Sequence, residues 1–181
     1  MDPYAILGKY YFTDSKTYMY LTAHSRAVAD KALRGAEKVK HLNPDMQFIE
    51  EAALLHDIGI YMVNAHKIGC IGPMDYICHG YIGRELLEKE GYPRHALVCE
   101  RHVGAGLTVA DIELHKLPIP KRDMLPESIE EQLICWADKF YSKWPTSLKD
   151  EKPIDKVLKV VEKYGEPQLD RFRNWHEMFG G

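Results

Sequence analysis

A histidine and an aspartate stand side by side at the end of the most apolar segment of the chain. His56 and Asp57 lie within the segment from Ala52 to Gly59, and no Lys or Arg occurs within six residues on either side. A carboxylate buried there without a cationic partner would cost several kcal/mol. A bound metal ion would supply the missing charge. The pair also fits a hydrogen-bonded core histidine beside an aspartate that caps a neighbouring element.

Two further residues of ligand type fall on expected helix faces. His24 lies three residues after Leu21 and four before Val28, so its imidazole shares their face. Asp138 lies four residues after Ile134 and is a second carboxylate on a mostly apolar helix. Both side chains are therefore expected to point into the core.

His79 and His102 complete the set, because each has apolar neighbours three or four residues away. Taken singly, each histidine fits a packed core residue, and Asp138 fits an ion pair with Lys139 or Lys143. Taken together, six inward-facing residues with no compensating buried cations in reach favour a metal site. Nitrogen and oxygen donors without thiolate suit Fe, Mn, Zn, Co or Mg, and six exceed what one tetrahedral ion needs, so we expect two ions.

The composition narrows the classes of protein to which the chain can belong. Its 181 residues and 20.9 kDa, with 45% hydrophobic and 28% charged residues, fit one ordinary globular domain. A net charge of −3 gives no basic field for nucleic acid, and no apolar run approaches the roughly 20 residues that span a bilayer. We expect a cytoplasmic protein, because the first residues lack the layout of a signal peptide. The four cysteines Cys70, Cys78, Cys99 and Cys135 form no CxxC pair, so we expect free, reduced thiols.

The elements that must position these residues are helices. Apolar residues recur every three or four positions, and strand-like alternation is scarce. The sequence predicts a single all-α domain over residues 1–181, a compact bundle of six or seven helices with a core at about 16–145. The expected helices are 16–39, one from the Asn43–Pro44 cap to a left-handed Gly59, about 75–90, one from Pro93 through His102, Ser128 to Trp144, and two C-terminal helices at about 153–163 and 167–178.

The ordered set His24, His56-Asp57 and Asp138 resembles the HD-domain superfamily of metal-dependent phosphohydrolases. The resemblance covers residues 20 to 145 and includes the Leu-Leu-His-Asp-Ile-Gly stretch of the small stand-alone HDIG type. His79 and His102 are similar to the additional histidines of its dinuclear members. One position departs from the pattern, since many relatives carry a lysine directly after Ile-Gly where this chain has Ile60.

The resemblance implies an HD-domain-like bundle that hydrolyses a small phosphate ester or nucleotide with a metal-activated hydroxide. One ion would be held by His24, His56, Asp57 and Asp138, and the other by His79, His102 and a bridging Asp57. As the catalytic residue, Asp57 would orient the attacking water or accept its proton. The candidate substrate-binding groups, each of which also fits a solvated surface charge, are Lys67, Arg101 and Lys139.

Two other interpretations fit the same residues. A four-His, two-Asp set also resembles the HD-type di-iron oxygenases, and a non-catalytic HD-like signalling module would keep the fold without the chemistry. The expected partner is a small phosphorylated substrate, with no membrane and no strong nucleic-acid signal. A homodimer is compatible with the sequence.

Overall fold

The structure, a computed structural model, describes residues 1–143 and 150–180. Helices dominate this part of the chain, and one antiparallel ribbon of two short strands lies beside them. The all-α prediction is confirmed. The helices and strands are α1 (Pro3–Leu7), α2 (Lys16–Lys38), α3 (Met46–Leu55), β1 (Asn64–Ala65), β2 (Cys70–Ile71), α4 (His79–Lys89), α5 (Pro93–Arg101), α6 (Val109–Leu114), α7 (Ile129–Asp138), α8 (Ile154–Val161) and α9 (Glu166–Phe179).

The described residues thus contain nine α-helices, more than the six or seven expected. The two helices that the sequence did not indicate are α1 and α6, which have five and six residues. Each is held by a side-chain cap rather than by a long apolar stripe. Asp2 accepts hydrogen bonds from the backbone N–H groups of Tyr4 and Ala5, and Thr108 forms a capping box with Asp111.

Helix α3 begins two residues later than expected. Its N-cap is Asp45, whose carboxylate accepts a hydrogen bond from the backbone N–H of Phe48. The predicted Asn43–Pro44 cap is wrong, because Asn43 adopts a left-handed conformation (φ 55°) that ends a short 3-10 turn at Lys40–Leu42. Helix α3 also ends early, at Leu55, and a 3-10 turn at Ile58–Met62 follows it.

Gly59 is required for a reason that differs from the predicted left-handed cap. It lies within the 3-10 turn and is not among the positive-φ residues. A Cβ atom at this position would lie 2.1 Å from the carbonyl oxygen of His79 and 2.6 Å from the backbone nitrogen of Gly83. The glycine therefore allows the backbone of α4 to touch the turn that follows α3.

Helix α7 lies between α2, α3, α5 and α9. Ser128 caps it by accepting a hydrogen bond from the backbone N–H of Glu131. The helix ends at Asp138 rather than at Trp144, which lies outside the described residues. Its buried face joins the main hydrophobic core, where Trp136 packs against Phe140 and Phe179.

The two C-terminal helices, α8 and α9, fall close to their predicted bounds. Helix α9 packs on α2, on α7 and on a 3-10 turn at Val103–Ala105. All four cysteines are buried and free. Within the described residues, no helix has both the length and the apolar character needed to cross a membrane.

Candidate metal centre

The six candidate ligands are brought together from five helices, and most of them lie at helix ends. His56 and Asp57 directly follow α3, and His102 directly follows α5. His79 is the first residue of α4, Asp138 the last of α7, and His24 lies within α2. All six are buried, with exposed fractions between 0% and 8%. Side chains at helix ends can meet at one point where several helices converge, and no helix has to be broken to bring them together.

Four of these residues form a first group. His24 Nε2 lies 3.0 Å from Asp138 Oδ1 and 3.4 Å from Asp57 Oδ2. His56 Nε2 lies 3.0 Å from Asp57 Oδ2 and 3.4 Å from Asp138 Oδ1. Donor atoms that surround one tetrahedral ion at about 2.0–2.2 Å are themselves about 3.4 Å apart. The four donor atoms are therefore spaced as the ligands of one ion would be.

A second group uses the other oxygen of the same aspartate. His79 Nε2 and His102 Nε2 lie 3.4 Å and 3.5 Å from Asp57 Oδ1. Asp57 thus presents Oδ2 to the first group and Oδ1 to the second. This arrangement suits a carboxylate that bridges two cations.

Three of the histidines are oriented by the backbone in the same way. Nδ1 of His56, His79 and His102 each lies 2.6–2.7 Å from the carbonyl oxygen of the residue three positions earlier. A carbonyl oxygen can only accept a hydrogen bond, so Nδ1 must carry the proton. In the neutral rings of His79 and His102, Nε2 then keeps its lone pair, and a metal ion at His56 Nε2 would take the place of the second proton of that ring. Metal-binding histidines are usually held in this way.

The contact between His79 and His102 tests whether a cation fits. Their Nε2 atoms lie 3.1 Å apart, and both Nδ1 atoms are committed to carbonyl oxygens. Burial lowers the pKa of His79 to about 3 and also lowers the pKa of His102, so both rings are neutral. Two lone pairs facing each other at this distance repel unless a cation lies beside both. The donor set therefore fits a divalent metal ion.

Both carboxylates are ionised, and lysines contact them. The pKa of Asp57 lies well below its usual range, because His56 and Lys143 outweigh the effect of burial. Lys143 Nζ lies 2.7 Å from Asp57 Oδ2, and Lys139 Nζ lies 2.8 Å from Asp138 Oδ2. The expectation that no buried cation lies in reach is wrong. Proximity along the chain could not reveal the Lys143 contact, because the fold brings this lysine to Asp57 from a distant segment.

The remaining buried polar atoms are not satisfied by these lysines. Among the described residues, His56 Nε2 and Asp57 Oδ1 have no hydrogen-bond partner of acceptable geometry. The carboxylates of Asp57 and Asp138 raise the pKa of His56 to about 9 against the opposing effect of burial. Unpaired buried donors and acceptors cost about 1–3 kcal/mol each. A cation bound by these atoms would offset this cost.

A cavity of about 630 Å³ opens onto both groups. His79, His102 and Asp138 form part of its wall. Its lining includes one carboxylate and four lysines, namely Lys67, Lys139, Lys143 and Lys152. The charge of this wall therefore suits an anion.

The structure separates the three predicted substrate-binding residues. Lys67 and Lys139 line the cavity, whereas Arg101 is not among its described lining residues. Arg101 Nη1 lies 2.9 Å from a carboxylate oxygen of Glu131 and 3.2 Å from one of Glu127. The helix period could not reveal this, because both acidic partners come from a distant segment.

Other residues of the cavity wall carry little or no sequence signal. They are Lys143, which the sequence predicts only as an ion-pair partner of Asp138, and Lys152, Tyr76 and Tyr164. Only the position of Lys143, five residues after Asp138, gave a signal. Lys152 and Tyr164 come from the C-terminal segment, and nothing in their local sequence indicates a cavity.

The chain belongs to the HD domain family. The model of this family, described as "HD domain", matches residues 21–142, which include all six candidate ligands. No solved structure gives a significant match to the chain.

Three relatives are similar to this chain over most of its length. An uncharacterized protein of Methanocaldococcus jannaschii is 34% identical over 145 residues, which cover 77% of this chain and 74% of that protein. A tRNA (cytidine(56)-2'-O)-methyltransferase of Thermoplasma volcanium is 32% identical over 152 residues, or 83% of this chain. A protein of the same name from Picrophilus torridus is 34% identical over 120 residues, or 66% of this chain. The chain spans 38% and 30% of the length of these two methyltransferases.

Proposed function

We propose that this protein is a metal-dependent phosphohydrolase that cleaves a small phosphate ester or a nucleotide. The observation that carries the proposal is the cavity, where a candidate two-ion centre lies beside four lysines. The two lysine contacts already balance the two carboxylates. Each bound divalent ion would therefore add positive charge that an anionic substrate is suited to neutralise.

The residues proposed to hold the ions are the two groups described above, which share Asp57. The first group supplies two nitrogen and two oxygen donors, and the second supplies two nitrogens and one oxygen. Such donors suit Fe, Mn, Zn, Co or Mg. When bound, two ions would lower the pKa of a water molecule and neutralise phosphoryl oxygens.

The protein's own groups would do the rest of the work. Asp57 would orient the attacking water, because its two oxygens lie between the two groups. Lys139 is placed to bind a phosphoryl oxygen, because it lines the cavity next to Asp138. Lys67 stands on the wall formed by the short ribbon and would act in the same way.

The C-terminal helices belong to the proposed working unit. Val160 and Tyr164 line the same cavity as Lys139, although they lie outside the part of the chain that matches the family. We therefore propose that residues 1–181 act as a single domain. The aromatic and apolar part of this wall would contact the organic part of the substrate.

The experiment is a screen of phosphate release. The purified protein is given Mn²⁺, Fe²⁺, Co²⁺ or Mg²⁺ with a panel of phosphomonoesters and nucleotides. Because the names of two relatives point to tRNA, the panel includes tRNA and its fragments. We expect release with at least one pair, a loss of at least 100-fold in His56→Ala, and no change in the exposed-histidine control His41→Ala.

An oxygenase would give a different result. Oxygen uptake with an organic substrate, together with no phosphate release across the panel, would contradict the hydrolase proposal. Metal content below one ion per chain after reconstitution would contradict both enzymes and favour a non-catalytic module.

A further inference from the structure

Lys143 contacts the carboxylate oxygen that the first group of candidate ligands also uses. Its Nζ lies 2.7 Å from Asp57 Oδ2, and its side chain is 16% exposed. The same oxygen lies 3.0 Å from His56 Nε2 and 3.4 Å from His24 Nε2. The ammonium group of Lys143 and an ion held by the first group of candidate ligands would therefore contact the same oxygen atom of Asp57.

Two cations so close together repel each other strongly at the low effective dielectric constant of a buried site. Lysine can respond to this repulsion, because it carries a point charge on a flexible four-carbon stem. The Lys143 side chain also lines the cavity, and its Nζ lies 5.8 Å from the ring centroid of Tyr76. The ammonium group thus has an open cavity and an aromatic face to turn toward.

Two neighbouring lysines are held differently. Lys139 contacts Asp138 Oδ2, whereas Asp138 Oδ1 belongs to the first group, and it also donates a hydrogen bond to the carbonyl oxygen of His102. Lys152 donates to the carbonyl oxygen of Tyr141 at 2.8 Å. Among these three lysines of the cavity wall, Lys143 is thus the one that contacts Asp57, the carboxylate that both groups of candidate ligands use.

We propose that Lys143 is an exchangeable counter-ion of Asp57. It balances the carboxylate, gives way when a divalent cation binds, and then binds an anionic group in the cavity. The inference rests on the proposed function, because it takes a phosphoryl group as that anion.

The first test measures the affinity for Mn²⁺ from the electron paramagnetic resonance signal of the free ion. We expect Lys143→Met to bind Mn²⁺ at least fivefold more tightly than the wild type, which is the low end of typical couplings between interacting sites. Lys143→Arg keeps the charge and should stay within twofold of the wild type. Lys152→Met, the matched control in the same cavity, should also stay within twofold.

The second test uses inorganic phosphate as the probe on the Mn²⁺-loaded protein. Lys143→Met should bind phosphate at least fivefold more weakly than the wild type, while its Mn²⁺ affinity rises. Opposite changes in the two affinities separate an exchanging lysine from one that merely supports the fold, because structural damage would weaken both.

A third measurement needs only the wild type and so stands even if the variant fails to fold. Mn²⁺ should increase the acetylation of Lys143 relative to Lys152, as mapped by mass spectrometry. Two results would overturn the inference: unchanged labelling of Lys143, or a folded Lys143→Met that binds Mn²⁺ no more tightly than the wild type. If the wild type still binds Mn²⁺ and hydrolyses a substrate, the proposed function is unaffected by either result. A wild type that binds none of Mn²⁺, Fe²⁺, Co²⁺, Zn²⁺ and Mg²⁺ overturns the proposed function as well.

Discussion

The Nε2 atoms of His79 and His102 face each other at 3.1 Å, and this contact limits what can lie between the two rings. Both rings are buried and neutral, and their Nδ1 protons are committed to backbone carbonyl oxygens. A proton shared between the two Nε2 atoms would need an imidazolium, which burial disfavours at His79. A divalent cation would accept both lone pairs at once.

The second group can be removed without touching the first. We expect His79→Ala to lower the Mn²⁺ content from two ions to one per chain, because the four donors around His24 stay in place. Elemental analysis after dialysis against a defined free-metal concentration measures this. Phosphate release should fall together with the second ion.

His115→Ala is the control for that variant, since His115 is exposed at the end of α6. Its metal content should equal that of the wild type. Two ions in both variants would contradict the assignment of His79, and none in His79→Ala would show that the groups do not bind independently.

Helix periodicity indicated the inward faces of His24 and Asp138, because both lie on helices with regular apolar spacing. It could not reveal Lys143, which reaches Asp57 from beyond the end of α7. Arg101 was assigned to the substrate because it adjoins His102, yet Glu131 binds it. Local spacing predicts the face on which a residue lies, and long-range ion pairs are decided by the fold.

At the level of elements, the backbone of α4 lies in close contact with the turn after α3. Gly59 contacts the backbone of His79 and Gly83. The position of the candidate ligand His79 therefore depends on residue 59 having no Cβ atom. Helix α4 in turn packs closely on α5, where Gly83 faces the side chain of Cys99. The spacing of these elements sets the distance between the two groups of donors.

Replacing this glycine should be costly. In Gly59→Ala, the added Cβ would meet backbone atoms that cannot rotate away, so we expect a loss of about 1–3 kcal/mol or more in the free energy of unfolding. Urea titration followed by circular dichroism measures it. In the control Gly8→Ala, the nearest atom would be at 3.4 Å and φ is −63°, so stability should change little.

Asp111 joins α6 to α9 and makes their contact sensitive to pH. Its Oδ2 accepts hydrogen bonds from Thr108 and from Gln168 Nε2, and these lower its pKa against the effect of burial. A lowered pKa in the folded state means that the stabilisation is complete above the unfolded value, about 3.9, and is lost as the pH falls through the folded value.

We therefore expect Asp111→Asn to be less stable than the wild type by about 1 kcal/mol at pH 6. The difference should shrink below pH 4, where the wild-type carboxylate begins to be protonated. Thermal unfolding of both proteins across pH 3–6 measures it, and a difference that is constant with pH would contradict the role of the charge.

The approximate positions of the long helices were predictable from the sequence, while the exact residues at which they begin and end were less so. Ser128 was correctly indicated as a cap, because the sequence places Glu131 three residues later. Asn43–Pro44 gave an equally good local signal, yet Asp45 is the cap and Asn43 adopts a left-handed turn. The two signals compete over three residues, and Asp45 also accepts a hydrogen bond from Arg94, a contact that local sequence cannot reveal.

For the molecule as a whole, the C-terminal helices are joined to the part of the chain that matches the family. Arg171 in α9 donates a hydrogen bond to the carbonyl oxygen of Ala105, a non-glycine residue with φ 68°. The ring of Tyr164 covers Gly104. The loop after His102 is thus held in an unfavourable conformation by a segment distant in the sequence.

Arg171→Met should show how much this connection contributes. We expect a loss of about 1–3 kcal/mol in the free energy of unfolding, since a hydrogen bond from a charged group is removed and the loop is strained. Arg173→Met, an exposed residue that contacts Asp170, is the control and should change stability by less than about 0.5 kcal/mol. Equal losses in both variants would contradict the role of Arg171.

Because all four thiols are buried, their reactivity can report local unfolding of the chain. Burial raises the pKa of Cys70 to about 11 and that of Cys135 to about 12, and it also raises the pKa of Cys78 and Cys99. Because the thiolate is the reactive form, iodoacetamide will react slowly with the native chain and rapidly with an opened one. The alkylation rate of each cysteine will therefore report how often its surroundings open, with no added label and no substitution.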